Sequence, residues 1–101
     1  MATFISTVKF TGQGIQAIGE TTRRAAKMKT VAKKMGVKVR NIYWTLGASD
    51  GVLIFEAPDD ETATALLLHL GSKGNVETTT ARAFTSAEME GVLEKMQSPS
   101  L

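Results

Sequence analysis

Few side chains in this chain are equipped for chemistry, and they are spread along it. Asn41, Tyr43 and Thr45 recur at every second position, so on an extended strand all three project from one face. Asp50 follows in a turn, His69 is the single histidine, and Arg82 offers a cation within a later threonine-rich run. Apolar walls with a few convergent polar groups make a small-molecule site, so these six residues form the candidate ligand pocket. Trp44 points away from Tyr43 by strand parity, and the two side chains cannot both line one cavity. Each residue also has a plainer role: core packing for Trp44, a bond within its own turn for Asp50, solvation for His69, and an ion pair with Glu56 or Glu77 for Arg82.

Several kinds of chemistry are excluded or disfavoured. Without cysteine there is no thiol chemistry, and one histidine cannot build a zinc site of the usual His/Cys kind within one subunit. A histidine-based triad would have to run through His69. Gly12-Gln13-Gly14-Ile15-Gln16-Ala17 matches a dinucleotide fingerprint, but no acidic residue follows about twenty positions on to hold a ribose hydroxyl. A chain of 101 residues also leaves little room for two mononucleotide-binding halves, so these glycines read as a flexible loop. Neither a cofactor nor a metal is expected.

The elements that must position the six residues follow from local patterns. The most secure is a hairpin: Val37 to Leu46, a turn of Gly47-Ala48-Ser49-Asp50-Gly51, and Val52 to Ala57. The two turn glycines are expected to supply positive-φ positions. Thr3 to Phe10 is a first strand, and Val76 to Phe84 a fourth. Between the first two strands, Ala25, Met28, Val31, Ala32 and Met35 form one side of a helix over Thr22 to Met35, ended by Gly36. Pro58-Asp59-Asp60-Glu61 starts a second helix, with a stripe of Ala63, Leu66, Leu67 and Leu70 closed by Gly71. Thr85 to Glu88 has capping-box spacing, and Met89, Val92, Leu93 and Met96 repeat a helical stripe.

The resulting order, βαββαβ plus a terminal helix, predicts an α+β fold of the ferredoxin-like split-βαβ plan. One domain over residues 1–96 is expected, with residues 97–101 a frayed tail. In the third strand Val52 and Ile54 face one way and Leu53 and Phe55 the other, so both sheet faces need covering. The helices can cover one face. A second copy of the sheet is expected on the other, giving a homodimeric α/β barrel that buries about 800 Å² or more per partner.

Charge is distributed unevenly. Residues 21–49 hold eight of the twelve basic groups and no acid, leaving four basic and ten acidic groups elsewhere. Without interleaved aromatics or a recognition motif, this patch reads as a solvated helix face, and nucleic-acid binding is disfavoured. No apolar run approaches the roughly 20 residues of a membrane span. The start, Met1-Ala2-Thr3-Phe4, lacks the features of a secretory signal, so a cytoplasmic location is expected.

Tyr43-Trp44-Thr45-Leu46-Gly47, Asp50, Glu56-Ala57-Pro58-Asp59-Asp60, Gly74-Asn75-Val76 and Arg82-Ala83-Phe84 together resemble the GYD domain family over residues 3 to 95. The turn departs from the family's Gly-Tyr-Asp, reading Ala48-Ser49-Asp50 with serine in place of tyrosine. The resemblance implies a dimeric α/β-barrel arrangement and brings no established reaction with it. Three functional expectations follow: a dimeric small-molecule binding or sensing module; a cofactor-independent enzyme of monooxygenase or isomerase type, needing His69, Tyr43 or Asp50 to converge on one cavity; and a protein- or polyanion-interaction module using the basic first helix.

Overall fold

A computed structural model describes residues 1–97 and places along them β1 (Ala2–Phe10), α1 (Gly12–Gln16), a single 3-10 turn (Ile18–Glu20), α2 (Thr21–Lys34), β2 (Lys38–Trp44), β3 (Gly51–Ala57), α3 (Asp60–Ser72), β4 (Val76–Ala83) and α4 (Ser86–Gln97). The strands form one sheet in the order β2-β3-β1-β4, each adjacent pair antiparallel. β1 and β2 therefore run the same way with β3 inserted between them, the split crossover of a ferredoxin-like fold.

Period-two alternation decides which side of the sheet is covered. Phe4 and Ser6 of β1 and Leu53, Phe55 and Ala57 of β3 are buried, whereas their neighbours Ile5, Thr7, Val52 and Ile54 are exposed or half-buried. Phe4 lies opposite Phe55 in the register, and the two rings stack with centroids 5.4 Å apart. Met28 and Ala32 from α2 and Ala63 and Leu66 from α3 close over this pair, as their three- and four-residue spacing predicts. The buried Ser6 hydroxyl is satisfied by the Thr80 hydroxyl on β4. Nothing in the described chain covers the opposite face.

Helix ends follow their chemistry. The Asp59 carboxylate caps α3 by accepting from the Thr62 amide at 2.7 Å. Gly36 stops α2 with a φ of +78°. α3 runs one residue past the expected stop at Gly71, and the positive-φ residue beyond it is Gly74. In the hairpin turn only Gly47 has a positive φ. Gly51 instead opens β3 in a buried position, where a Cβ would stand 3.0 Å from the Tyr43 carbonyl oxygen.

The segment expected to be a loop of flexible glycines is α1 and the 3-10 turn. The Thr11 side chain caps α1 by accepting from the Gly14 amide, and its hydroxyl donates to the Gly74 carbonyl at 2.6 Å. Gln13 donates to the Lys73 carbonyl and to the Asn75 side chain, so α1 is strapped to the α3–β4 connection. α4 does not fold back: it packs extensively against no other element, and Met89, Val92 and Met96 are exposed. Gln97 belongs to α4; the remainder of the expected tail, residues 98–101, lies outside the described residues.

Gly14 is buried because α1 presses on the Asn75 main chain, and a Cβ there would lie 2.0 Å from the Asn75 carbonyl oxygen. Gly14→Ala is expected to cost about 1–3 kcal/mol by forcing the two segments apart. Gly12→Ala, with open space around it, should shift stability by under about 0.5 kcal/mol. Urea unfolding midpoints of the two variants check this.

Candidate functional site

A cavity of about 440 Å³ lies between the sheet and the helices, at the end of the sheet where β2 and β3 meet their turn. Its floor is set by β1 and β3, which bring Val8, Phe10 and Leu53. Its walls are the inward stripe of α2 (Ala25, Met28 and Val31) and Leu70 of α3, with Val76 at the start of β4. Ile42 and Trp44 of β2 complete it; the Trp44 indole N–H donates to the Thr21 hydroxyl at 3.0 Å, which holds the ring against the first turn of α2.

Polar groups border the same space. Arg24 and Lys27 of α2, His69 of α3, and Lys73 and Asn75 after it all line the cavity, and Asp50 is its one carboxylate among the described residues. The Asp50 carboxylate accepts from the Phe10 amide at 2.8 Å, and the Asp50 amide donates to the Val8 carbonyl. The expected bond within its own turn is therefore replaced by one that ties the hairpin to the end of β1. Arg24 donates to the carbonyls of Ala17 at 3.0 Å and Gly14 at 3.3 Å, which fixes its guanidinium without neutralising it. Neither Lys27 nor Lys73 has an ion-pair partner among the described residues.

The six expected pocket residues divide. Tyr43, Asp50 and His69 border the cavity; Asn41, Thr45 and Arg82 do not. The Asn41 amide donates to the Tyr43 hydroxyl, and both residues stand opposite Val52 and Ile54, on the face away from the helices. Tyr43 and Trp44 thus both border one cavity, against the parity expectation, although the Tyr43 hydroxyl is bonded to Asn41 on the other face. Thr45 is spent inside the turn, its hydroxyl donating to the Ser49 carbonyl at 2.6 Å. The reactive atoms of Tyr43, Asp50 and His69 share no hydrogen bond with one another among the described residues, and no group of three His, Asp or Glu residues there comes close enough to hold a metal ion.

Arg82 lies at the other end of the sheet, beside a shallower depression with Phe4, Asp60 and Leu67. Its guanidinium stands 4.5 Å from the Phe84 ring centroid and pairs with Glu88 of α4 at 3.3 Å, not with Glu56 or Glu77. Glu56 is taken by Arg40. The reciprocal cap between Thr85 and Glu88 is formed as its spacing predicts.

Arg24, Lys27 and Lys73 were not legible as site residues. Arg24 and Lys27 flank Ala25 and Met28 at the border of the apolar stripe, and that border position is the one local signal that they face the cavity rather than open solvent.

Against this geometry the comparisons with known proteins can be set. The GYD domain model matches residues 4–93, and the chain belongs to the GYD domain family. The glutamine synthetase and cystathionine beta-lyase binding protein of Thermus thermophilus is 32% identical over 90 residues, spanning 88% of this chain and 95% of its own. Among solved structures, MtbAldR superposes with a TM-score of 0.66 at 15% identity, over 84% of this chain and 54% of that one. The 5-chloro-2-hydroxyhydroquinone dehydrochlorinase of Burkholderia phenoliruptrix, solved with 2,5-dihydroxybenzoquinone, superposes at 0.60 with 19% identity, over 86% and 97%. At such identities these two structures share a fold with the chain. This chain spans about half the length of MtbAldR. No helix among the described residues is long and apolar enough to cross a membrane.

The Glu88 carboxyl is held below its ordinary value of 4.5, first by the Thr85 amide and then by Arg82 and the Thr85 hydroxyl. A depressed carboxylate stabilises above the unfolded value, and that contribution is lost as pH falls through the folded one. Acidification from pH 6 to below about 4 is therefore expected to release α4 before the sheet. Amide protection over residues 86–97, taken relative to the intrinsic exchange rate at each pH, should fall first, and Glu88→Gln should already show reduced protection there at pH 6.

Proposed function

We propose that the protein is a non-catalytic, homodimeric binding module whose cavity between sheet and helices takes a small molecule. The observation that carries this reading is the cavity: its volume falls within the roughly 300–1,000 Å³ of small-molecule sites, and its walls are apolar with a few polar groups at the border. Of the residues expected from the sequence, Asp50 and His69 remain candidate ligand contacts. An enzymatic role is less well supported, since the reactive groups it needs are held apart or already bonded.

In a screen of small organic molecules, thermal unfolding should rise by several degrees with at least one class. Ala25→Phe, which fills the cavity from α2, should abolish that rise while keeping the fold. A protein stabilised by no compound, or equally stabilised in the filled variant, would refute this reading.

The dimer rests on the uncovered face, where Ile5 is 38% exposed beside the half-buried Ile54 and Val52. These three residues lie opposite one another in the register or next to it, within a threonine- and alanine-rich field. Ile54→Glu should convert a dimer to a well-folded monomer in sedimentation equilibrium.

A second reading draws on the Thermus relative, whose name describes binding to two enzymes. On that reading the chain docks on a metabolic enzyme through its surface, and the exposed stripe of α4 is the natural contact. The filled variant Ala25→Phe separates the two: it would lose a cavity ligand and retain a surface-bound enzyme.

A further inference from the structure

The cavity border has a sign. Arg24, Lys27 and Lys73 bring three permanent cations to it from two different segments, and the one carboxylate there, Asp50, already accepts the Phe10 amide. The Arg24 hydrogen bonds run to carbonyl oxygens and not to a carboxylate, and Lys27 and Lys73 have no carboxylate partner among the described residues. Three cations against one carboxylate leave this border with a net positive charge among the described residues, and a bound anion is what relieves the repulsion among the cations. Low-dielectric walls on several sides strengthen the attraction by focusing the field into the opening. Inside, the walls are hydrocarbon: Val8, Met28, Val31, Ile42, Leu53 and Leu70.

From these two halves we infer the ligand class, an inference that rests on the small-molecule reading above: a small amphipathic carboxylate, its apolar body within the cavity and its carboxylate at the border held by Lys27 and Lys73, with Arg24 beside them. A neutral apolar molecule would leave the cations unpaired. A cationic one would be repelled. A long polyanion would use the run of exposed basic residues along α2, which continues to Lys33 and Lys34 in its last turn, and would have no use for the apolar interior.

Trp44 is the chain's single tryptophan and lines the cavity, so its emission reports occupancy. The test titrates the whole protein with 3-phenylpropionate, 3-phenylpropionamide and 3-phenylpropylamine, which share one apolar body and differ in charge. The carboxylate should bind about tenfold or more tightly than the amide, with the amine weakest. Lys27→Glu/Lys73→Glu should remove at least tenfold from carboxylate affinity, and Lys27→Gln/Lys73→Gln a smaller factor in the same direction. Lys33→Glu/Lys34→Glu, which reverses the same charge at the far end of α2, should change it less than twofold. Equal binding of carboxylate and amide, or tightest binding of the amine, would overturn the anion assignment and leave the cavity reading standing. No response of Trp44 to any of the three, confirmed by calorimetry, would overturn both.

Discussion

Closure of one sheet face by α2 and α3 over the stacked Phe4 and Phe55 rings is the constraint on which the rest of the molecule depends. β1 and β3 are the two central strands, so their inward residues are the ones both helices can reach. Burying two phenylalanines with Leu53, Leu66 and Met28 is the main driving force for the fold. It also commits the alternate residues of the same strands, Ile5, Val52 and Ile54, to the other face. Since α4 leaves the body instead of folding over it, that face has no cover within the described chain.

The cavity is a product of the same arrangement. Toward the turn between β2 and β3 the sheet and the two helices leave a gap, and Met28 and Leu53 of the core around the Phe4–Phe55 stack also wall it. Trp44 and the Asp50 carboxylate hold its border in place, one against α2 and the other against the end of β1. The cavity border is therefore built on bonded elements rather than on a loose loop.

Most of the fold was legible from sequence because it obeys local rules. Parity in β1 and β3, the three- and four-residue spacing in α2 and α3, the Asp59 cap and the Thr85–Glu88 box all depend on neighbours within a few residues. What escaped depends on distant partners. Gly14 is small because Asn75 lies against it, and Asp50 bonds Phe10 across 40 residues. The candidate site suffered most from this, since a cavity border is defined by segments that share no sequence pattern. Tyr43 is expected from its sequence position to line the pocket with Asn41 and Thr45, but its hydroxyl bonds Asn41 on the face opposite the helices.

One irregularity of the sheet bears on how copies of the protein can aggregate. β2 is an edge strand, and its pairing with β3 slips between Val39 and Asn41, leaving Arg40 as an extra residue joined to Glu56. An incoming strand laid along that rim would meet a kinked ladder and the positive charges of Lys38 and Arg40. The bulge thus acts as a guard against runaway stacking into fibrils, while the broad flat side of the layer is left free for orderly association.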